Sequence, residues 1–457
     1  MTGSSDSDTK GFERLGHVNF SGQYDTDAVD NAELIERRNK YFAGSFLFFH
    51  NPVHLVRGEG VWLYDDQGRK YLDAYNNIPN VGHCHPRVVD AICAQARQLN
   101  THTRYLHENI INLAERIAGT TPQGLDVSLF ACSGTEACEL SLRLARQVTG
   151  NSGIIVMESS YHGNSKLVGE MSTITYAPDA RPTWIATVEP PNAYQGPFRD
   201  GDGDLSCRYA DLVDDAISQL QDSGHGVAAF VCDAIFDSQG TLEAPKDYFK
   251  LVYEKVRAAG GLCIADEVQA GFGRTGKYWG FEHYDVVPDI LFAGKPMGNG
   301  HPTSLVTTRR DIADKWAEND AYFNTFGGNP VSAAAADAMM AVMEDENLVE
   351  NCAEVGSYLR ARLEALADRH TIIGNVRGRG LFQGIELVKD RESREPAPEV
   401  AARIPDRMKD EGVLIGLTGR YGNVLKFRFS LVATRENVDT LFAALDKVIR
   451  DAPRTMS

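Results

Sequence analysis

From residue 133 onward, short apolar runs alternate with amphipathic stretches. Ala137, Leu140, Leu144 and Val148 recur at helical spacing and predict a helix over 133–148. Ile154-Ile155-Val156-Met157 is a continuous apolar run, the pattern of a strand buried on both faces. A helix over 209–220, a strand over 227–231 and a helix over 247–259, ended by Gly260-Gly261, follow in turn. Two more buried-strand patterns come next: Leu262-Cys263-Ile264-Ala265, closed by Asp266, and Asp289 to Gly294, closed by Lys295. This alternation predicts an α/β fold with a mostly parallel sheet and helices on both faces. Ligands on such sheets sit at the carboxyl ends of strands.

The flanks read differently. Residues 55–73 alternate around Asp66-Gln67-Gly68 and predict a hairpin. A helix is expected from Pro86 to about Leu99 with Val88, Ile92 and Ala96 on one face, and another from near Glu108 to before Pro122. An alanine-rich helix runs from Pro330 to about Glu344. Beyond it lies a smaller α+β unit: helix 348–368, strand 380–388, helix 398–410, strand 424–432 and helix 435–450. The expected organisation is a disordered tail over 1–15, a segment over 16–75 that packs with the small domain, a large domain over 76–345 and a small domain over 346–457.

The chain has 457 residues, enough for two or three domains. Its formal net charge of −17 argues against binding a nucleic-acid backbone. No apolar run approaches the length of a membrane span, and the Ser/Asp-rich start lacks the apolar core of a signal peptide. Eight cysteines lie scattered with no Cys-x-x-Cys, which predicts reduced thiols and a cytoplasmic protein. His83-Cys84-His85 has no second pair at zinc-site spacing, so no metal site is expected.

Asp266 and Lys295 each close a buried-strand pattern. A lysine and an aspartate at one sheet edge are what pyridoxal 5′-phosphate (PLP) requires. The amine forms a Schiff base, and the carboxylate keeps the pyridine nitrogen protonated. Two polar caps on unrelated strands remain an alternative on these residues alone. Ser133-Gly134-Thr135 opens a helix and offers N–H and hydroxyl donors to a phosphate, or is an ordinary N-cap. Tyr161-His162 follows a strand, where an aromatic can stack on a ring, and Val268 can cover the ring's other face. Gly271-Phe272-Gly273-Arg274-Thr275-Gly276 matches a dinucleotide-binding pattern, but no amphipathic helix opens after it.

Ser133-Gly134-Thr135-Glu136-Ala137, Tyr161-His162-Gly163, Asp266-Glu267-Val268-Gln269, Lys295 and Thr325-Phe326-Gly327-Gly328-Asn329-Pro330 occur in order. Together they resemble the class III aminotransferases, a family of fold-type I PLP enzymes. The resemblance implies that Lys295 carries the cofactor and that Asp266 pairs with its ring nitrogen. It places Gln269 near the ring hydroxyl, and Gly134 and Thr135 on the phosphate. It also implies a homodimer with shared sites, compatible with a tetramer, in which Thr325 serves the neighbouring subunit.

Transaminases that use glutamate often carry a glutamate five residues after a strand-end acid. Here that acid is Asp233 and the later position is Ser238, so the gate is expected to be absent. The segments around Asn77, Arg104, Tyr194 and Phe323 are similar to phospho-lyases acting on ethanolamine phosphate or phosphohydroxylysine, relatives of the alanine–glyoxylate aminotransferase 2 branch. That resemblance implies elimination of phosphate from a phosphorylated primary amine, held as a covalent adduct of the cofactor, to give aldehyde, ammonia and phosphate. The alternative is a transaminase moving an amino group from a primary amine or omega-amino acid to pyruvate or glyoxylate. Asn77, Arg104 and Arg420 are the candidate substrate-binding residues, with Arg428 competing for the anion and Arg104 also readable as a surface ion pair.

Overall fold

The computed structural model of the chain describes residues 18–19, 30–42, 47–175 and 180–452. The expected tail over 1–15 lies outside them. Seven strands form the large sheet in the order Leu125–Ala131, Ser304–Arg309, Ile290–Ala293, Leu262–Asp266, Val227–Asp233, Gly153–Met157, Ile185–Val188. The last five pair in parallel, and Ser304–Arg309 runs antiparallel to both neighbours. The helix Gly134–Thr149 packs Ala137, Leu140, Leu144 and Ala145 onto one face of this sheet. Helices Leu205–Asp222 and Tyr248–Ala258 cover the other face with Val213, Leu220, Val252 and Val256.

A four-stranded antiparallel sheet holds Ile373–Arg379, Phe382–Leu387, Val424–Arg428 and Gly416–Thr418. A second small sheet joins the two ends of the chain. Leu55–Glu59, Trp62–Asp65 and Lys70–Asp73 form a meander, and Val413–Leu414 pairs in parallel with Leu72 and Asp73. The expected hairpin is thus three strands, because Gly60, at φ 57, makes an additional turn. The helix expected over 398–410 is two short ones, Pro398–Ala401 and Ile404–Asp410. Pro405 lacks an N–H and so suits the first turn of a new helix rather than the interior of a long one. On helix Pro86–Gln98 the buried partner of Val88 is Gln95, while Ala96 is exposed. Gln95 turns inward because its amide donates to the Leu99 carbonyl and accepts from Asn109.

The glycine-rich run at 271–276 opens only a short 3-10 turn, Gly280–Tyr284. Its arginine instead ties the chain together. Arg274 is fully buried and donates to the Phe429 carbonyl, to the Asn77 carbonyl at 3.2 Å and to Asn80 Oδ1 at 3.1 Å. Burial lowers its pKa to about 10. Arg274→Met should leave those acceptors unpaired and destabilise the fold by about 3 kcal/mol, measured by urea unfolding at constant m-value.

Candidate active site

A cavity of about 790 Å³ opens at the carboxyl edge of the large sheet. Asp233, Asp266 and Lys295 reach it from the ends of adjacent strands. Asn77, Gly134, Thr135, Tyr161, His162, Val268 and Gln269 line it as well. Ser133 stands at its edge as the cap of helix Gly134–Thr149, accepting from the Glu136 N–H at 3.2 Å. Ser133 thus caps the helix, and Gly134 and Thr135 line the cavity.

Lys295 follows the strand Ile290–Ala293 with φ 34, a left-handed backbone that turns its side chain away from the strand. The side chain stands in the cavity, accessible to solvent there but deep within the protein. Its amine makes no hydrogen bond or ion pair among the described residues. Burial lowers its pKa below the ordinary lysine value, Arg428 lowers it further, and Asp237, Asp266 and Asp233 oppose the fall. Asp266 is buried, accepts from the Val268 N–H at 3.0 Å and meets His162 Nδ1 at 2.7 Å. Its neighbour Asp233 is pushed up, first by burial and then by the Asp266 charge.

These residues fit PLP. The first N–H groups of a helix lack intrahelical acceptors, and helix Gly134–Thr149 aims its own at the cavity. A Cβ at Gly134 would come within 3.3 Å of Val268, so glycine keeps this cradle open. The Tyr161-His162-Gly163 turn packs on Thr135, since a Cβ at Gly163 would meet Thr135 Oγ1 at 2.6 Å. Asp266 retains lone pairs for a third partner, as a ring nitrogen would be.

A charge cluster lines the same cavity. Asp237 is buried, and Lys426 Nζ donates to its Oδ1 at 2.8 Å. Gln269 Nε2 donates to its Oδ2 at 2.7 Å, and Arg428 Nη1 lies 3.7 Å from Oδ2. Asn77 and Arg428 both donate to Gln269 Oε1, at 2.6 and 3.0 Å. Arg428 Nε bonds the Tyr75 carbonyl at 3.1 Å. Lys426 likewise has Asp237 as its one hydrogen-bond partner among them. Asp237 and Lys426 were not anticipated from sequence. Position 238 does carry Ser, as expected, but the acid one residue earlier engages the cations. Lys426 and Arg428, two apart in an otherwise apolar strand, share one face, and that spacing was the available signal.

Arg420, Arg104 and Thr325 do not line this cavity. Arg420 pairs with Glu189 at 2.9 Å beside a separate cavity. Arg104 is exposed and stacks over the Phe323 ring at 3.8 Å, two residues from the exposed Thr325. His83, of the His-Cys-His run, bonds Asp73 at 2.7 Å. No group of His, Cys, Asp and Glu among the described residues is placed to hold a metal.

The model of the family "Aminotransferase class-III" matches residues 49–449. The chain belongs to the class III aminotransferase family. Its fold is that of the fold-type I PLP-dependent transferases, and its cofactor is pyridoxal 5′-phosphate. An "alanine–glyoxylate aminotransferase 2-like" protein of Drosophila melanogaster is 40% identical over 91% of this chain and 86% of that protein. "Ethanolamine-phosphate phospho-lyase homolog 1" of Caenorhabditis elegans is 39% identical over 93% of this chain and 94% of its own length. A solved phospholyase from Arthrobacter, in complex with phosphoethanolamine, is 42% identical with a TM-score of 0.88, covering 91% of this chain and 99% of that one. The chain is therefore an enzyme of a family acting on small-molecule amines. No helix among the described residues is long and apolar enough to cross a membrane.

Lys295→Ala should abolish turnover and the visible absorbance of lysine-bound cofactor while the protein stays folded. A yellow, borohydride-reducible variant would contradict the assignment. Asp266→Asn should retain cofactor yet turn over about 10²–10³-fold more slowly, read as kcat under saturating substrate.

Proposed function

We propose that this enzyme is a phospho-lyase that removes phosphate from ethanolamine phosphate or a similar phosphorylated amine. The observation that carries the reading is the pair of buried cations, Lys426 and Arg428, which line the cavity of Lys295. Asp237 is the carboxylate that pairs with both, so the cluster has capacity left for a further anion. The phosphoethanolamine complex of the Arthrobacter phospholyase supports the same substrate class.

In this reading Gly134, Thr135 and the helix start hold the cofactor phosphate, Asp266 takes the ring nitrogen, and Lys295 is the covalent anchor. Tyr161, His162, Val268 and Gln269 enclose the ring. The bound cofactor draws electrons from the amine-bearing carbon. Lys295, its pKa lowered by burial, is the base that removes the proton from that carbon. Arg428 and Lys426 hold the substrate phosphate, and Asn77 steadies Gln269 beside them. Arg420 is assigned no role at this cavity. Arg104 and Thr325, together on an exposed surface with Tyr105, Leu106 and Phe326, are assigned to the cavity of a second copy in a homodimer. The eight free cysteines support a reducing compartment, and a cytoplasmic location is part of the proposal.

Transamination to pyruvate or glyoxylate is the second reading. Asp237 favours it, because a carboxylate already sits on the cation pair and an acceptor's carboxylate can take that place.

Holoenzyme incubated with ethanolamine phosphate and no keto acid should release phosphate and ammonia in equal amounts. Turnover that depends on added pyruvate or glyoxylate would return the enzyme to the transaminases. Mixed dimers carrying Thr325→Ala on one chain and Lys295→Ala on the other should keep one intact site. Equal damage to both sites would refute the shared-site geometry.

A further inference from the structure

Expulsion of phosphate from a carbon needs a proton. A phosphate monoester is mostly a dianion at neutral pH, its second pKa lying near 6. If its carbon–oxygen bond broke with the electron pair on oxygen and nothing else, a trianion would leave. A donor within reach of the phosphate removes that barrier.

Few groups at the anion subsite can act. Arg428 does not release its proton in a protein. Asp237 is held ionised by Lys426 and Arg428, which outweigh its burial. Gln269 and Asn77 are amides. Burial raises the Tyr75 phenol. Lys426 remains. It lies deep in the wall, with an ammonium that makes one hydrogen bond among the described residues where it can make three. The sheet leaves room on both flanks. Its cross-strand partners are Gly384 and Gly416, and a Cβ at Gly416 would meet the Lys426 stem at 3.4 Å and the Tyr75 ring at 2.5 Å.

We propose that Lys426 is the proton donor to the departing phosphate as well as one of its anchors. The inference rests on the phospho-lyase reading. Lys295 takes the proton from the amine-bearing carbon, and that C–H electron pair becomes the new carbon–carbon double bond. The carbon–oxygen pair leaves on the phosphate oxygen. A Lys426 N–H proton passes to the phosphate, giving hydrogen phosphate and a neutral lysine, which water reprotonates. Asp237, Arg428 and Lys295 are the charges facing Lys426, and Tyr75, Asp233 and Asp266 line the same cavity. Burial and then Arg428 lower Lys426 to about 8 against the opposing pull of Asp237. It is therefore protonated below that pH and loses its proton as pH rises through it.

Lys426→Arg keeps the charge and the hydrogen bonds but removes the transferable proton. In the holoenzyme it should lower kcat for ethanolamine phosphate by about 100-fold or more while KM stays within a few-fold. It should also abolish the fall in kcat above about pH 8. The sulfate ester of ethanolamine, whose leaving group departs without a proton, should lose kcat only a few-fold. An unchanged kcat on the phosphate ester, or equal losses on both esters, would overturn the donor role. A second measurement needs no variant and no turnover. Calorimetric titration of the wild-type holoenzyme with inorganic phosphate at pH 8–9, in buffers of different ionisation enthalpy, should show proton uptake as Lys426 recharges. Absence of uptake there would also overturn the proposal. Failure of the wild-type enzyme to release phosphate at all would instead remove the lyase reading beneath it.

Discussion

A carboxylate withdrawn from water must be met by cations or hydrogen bonds, and this cavity is organised around that requirement. Asp266 is met by His162 and the Val268 N–H. Asp237 is met by Lys426, Gln269 and, more distantly, Arg428. Asp233 has backbone N–H partners but no cation and is pushed up toward its neutral form. Asp237 and Asp233, four residues apart, are thus pushed in opposite directions by what each touches.

The same balance acts on the bases. Lys295 and Lys426 share a wall with Arg428, and each is lowered by burial and by that guanidinium. Among the described residues Lys295 has no acid in contact and Lys426 has one. The lysine without a partner suits proton removal and covalent attachment, whereas the paired one stays charged at neutral pH and suits an anion. Two lysines separated by 131 positions in sequence are thus set apart by one hydrogen bond, that from Lys426 to Asp237.

The parts legible in sequence were those with local signatures. Buried strands ending in Asp266 and Lys295 show as apolar runs closed by one charge, and the helix start at Ser133 shows as a cap. The antiparallel strand Ser304–Arg309 did not stand out, because Thr307 and Thr308 break its apolar run although both are buried. Asp237 was passed over because its role depends on Lys426, 189 residues away. Arg420 had the right charge in a plausible loop, but Glu189 draws it to another cavity. Pairings between distant segments carry no sequence periodicity, so long-range electrostatics escapes pattern reading where individual buried strands do not.

One small feature bears on how the protein is made. The strand Lys70–Asp73 has Val413–Leu414 as its parallel neighbour, and the Arg428 N–H bonds the Ala74 carbonyl. Tyr75, Asn76 and Asn77 continue directly from that strand into the cavity wall. During synthesis the early meander therefore emerges with one edge bare and waits for more than three hundred further residues before it is covered. The strands of the large sheet all lie within residues 125–309 and do not wait for that pairing. The cavity wall formed by Tyr75, Asn76 and Asn77 therefore rests on a neighbour made only once residues 413–428 are in place.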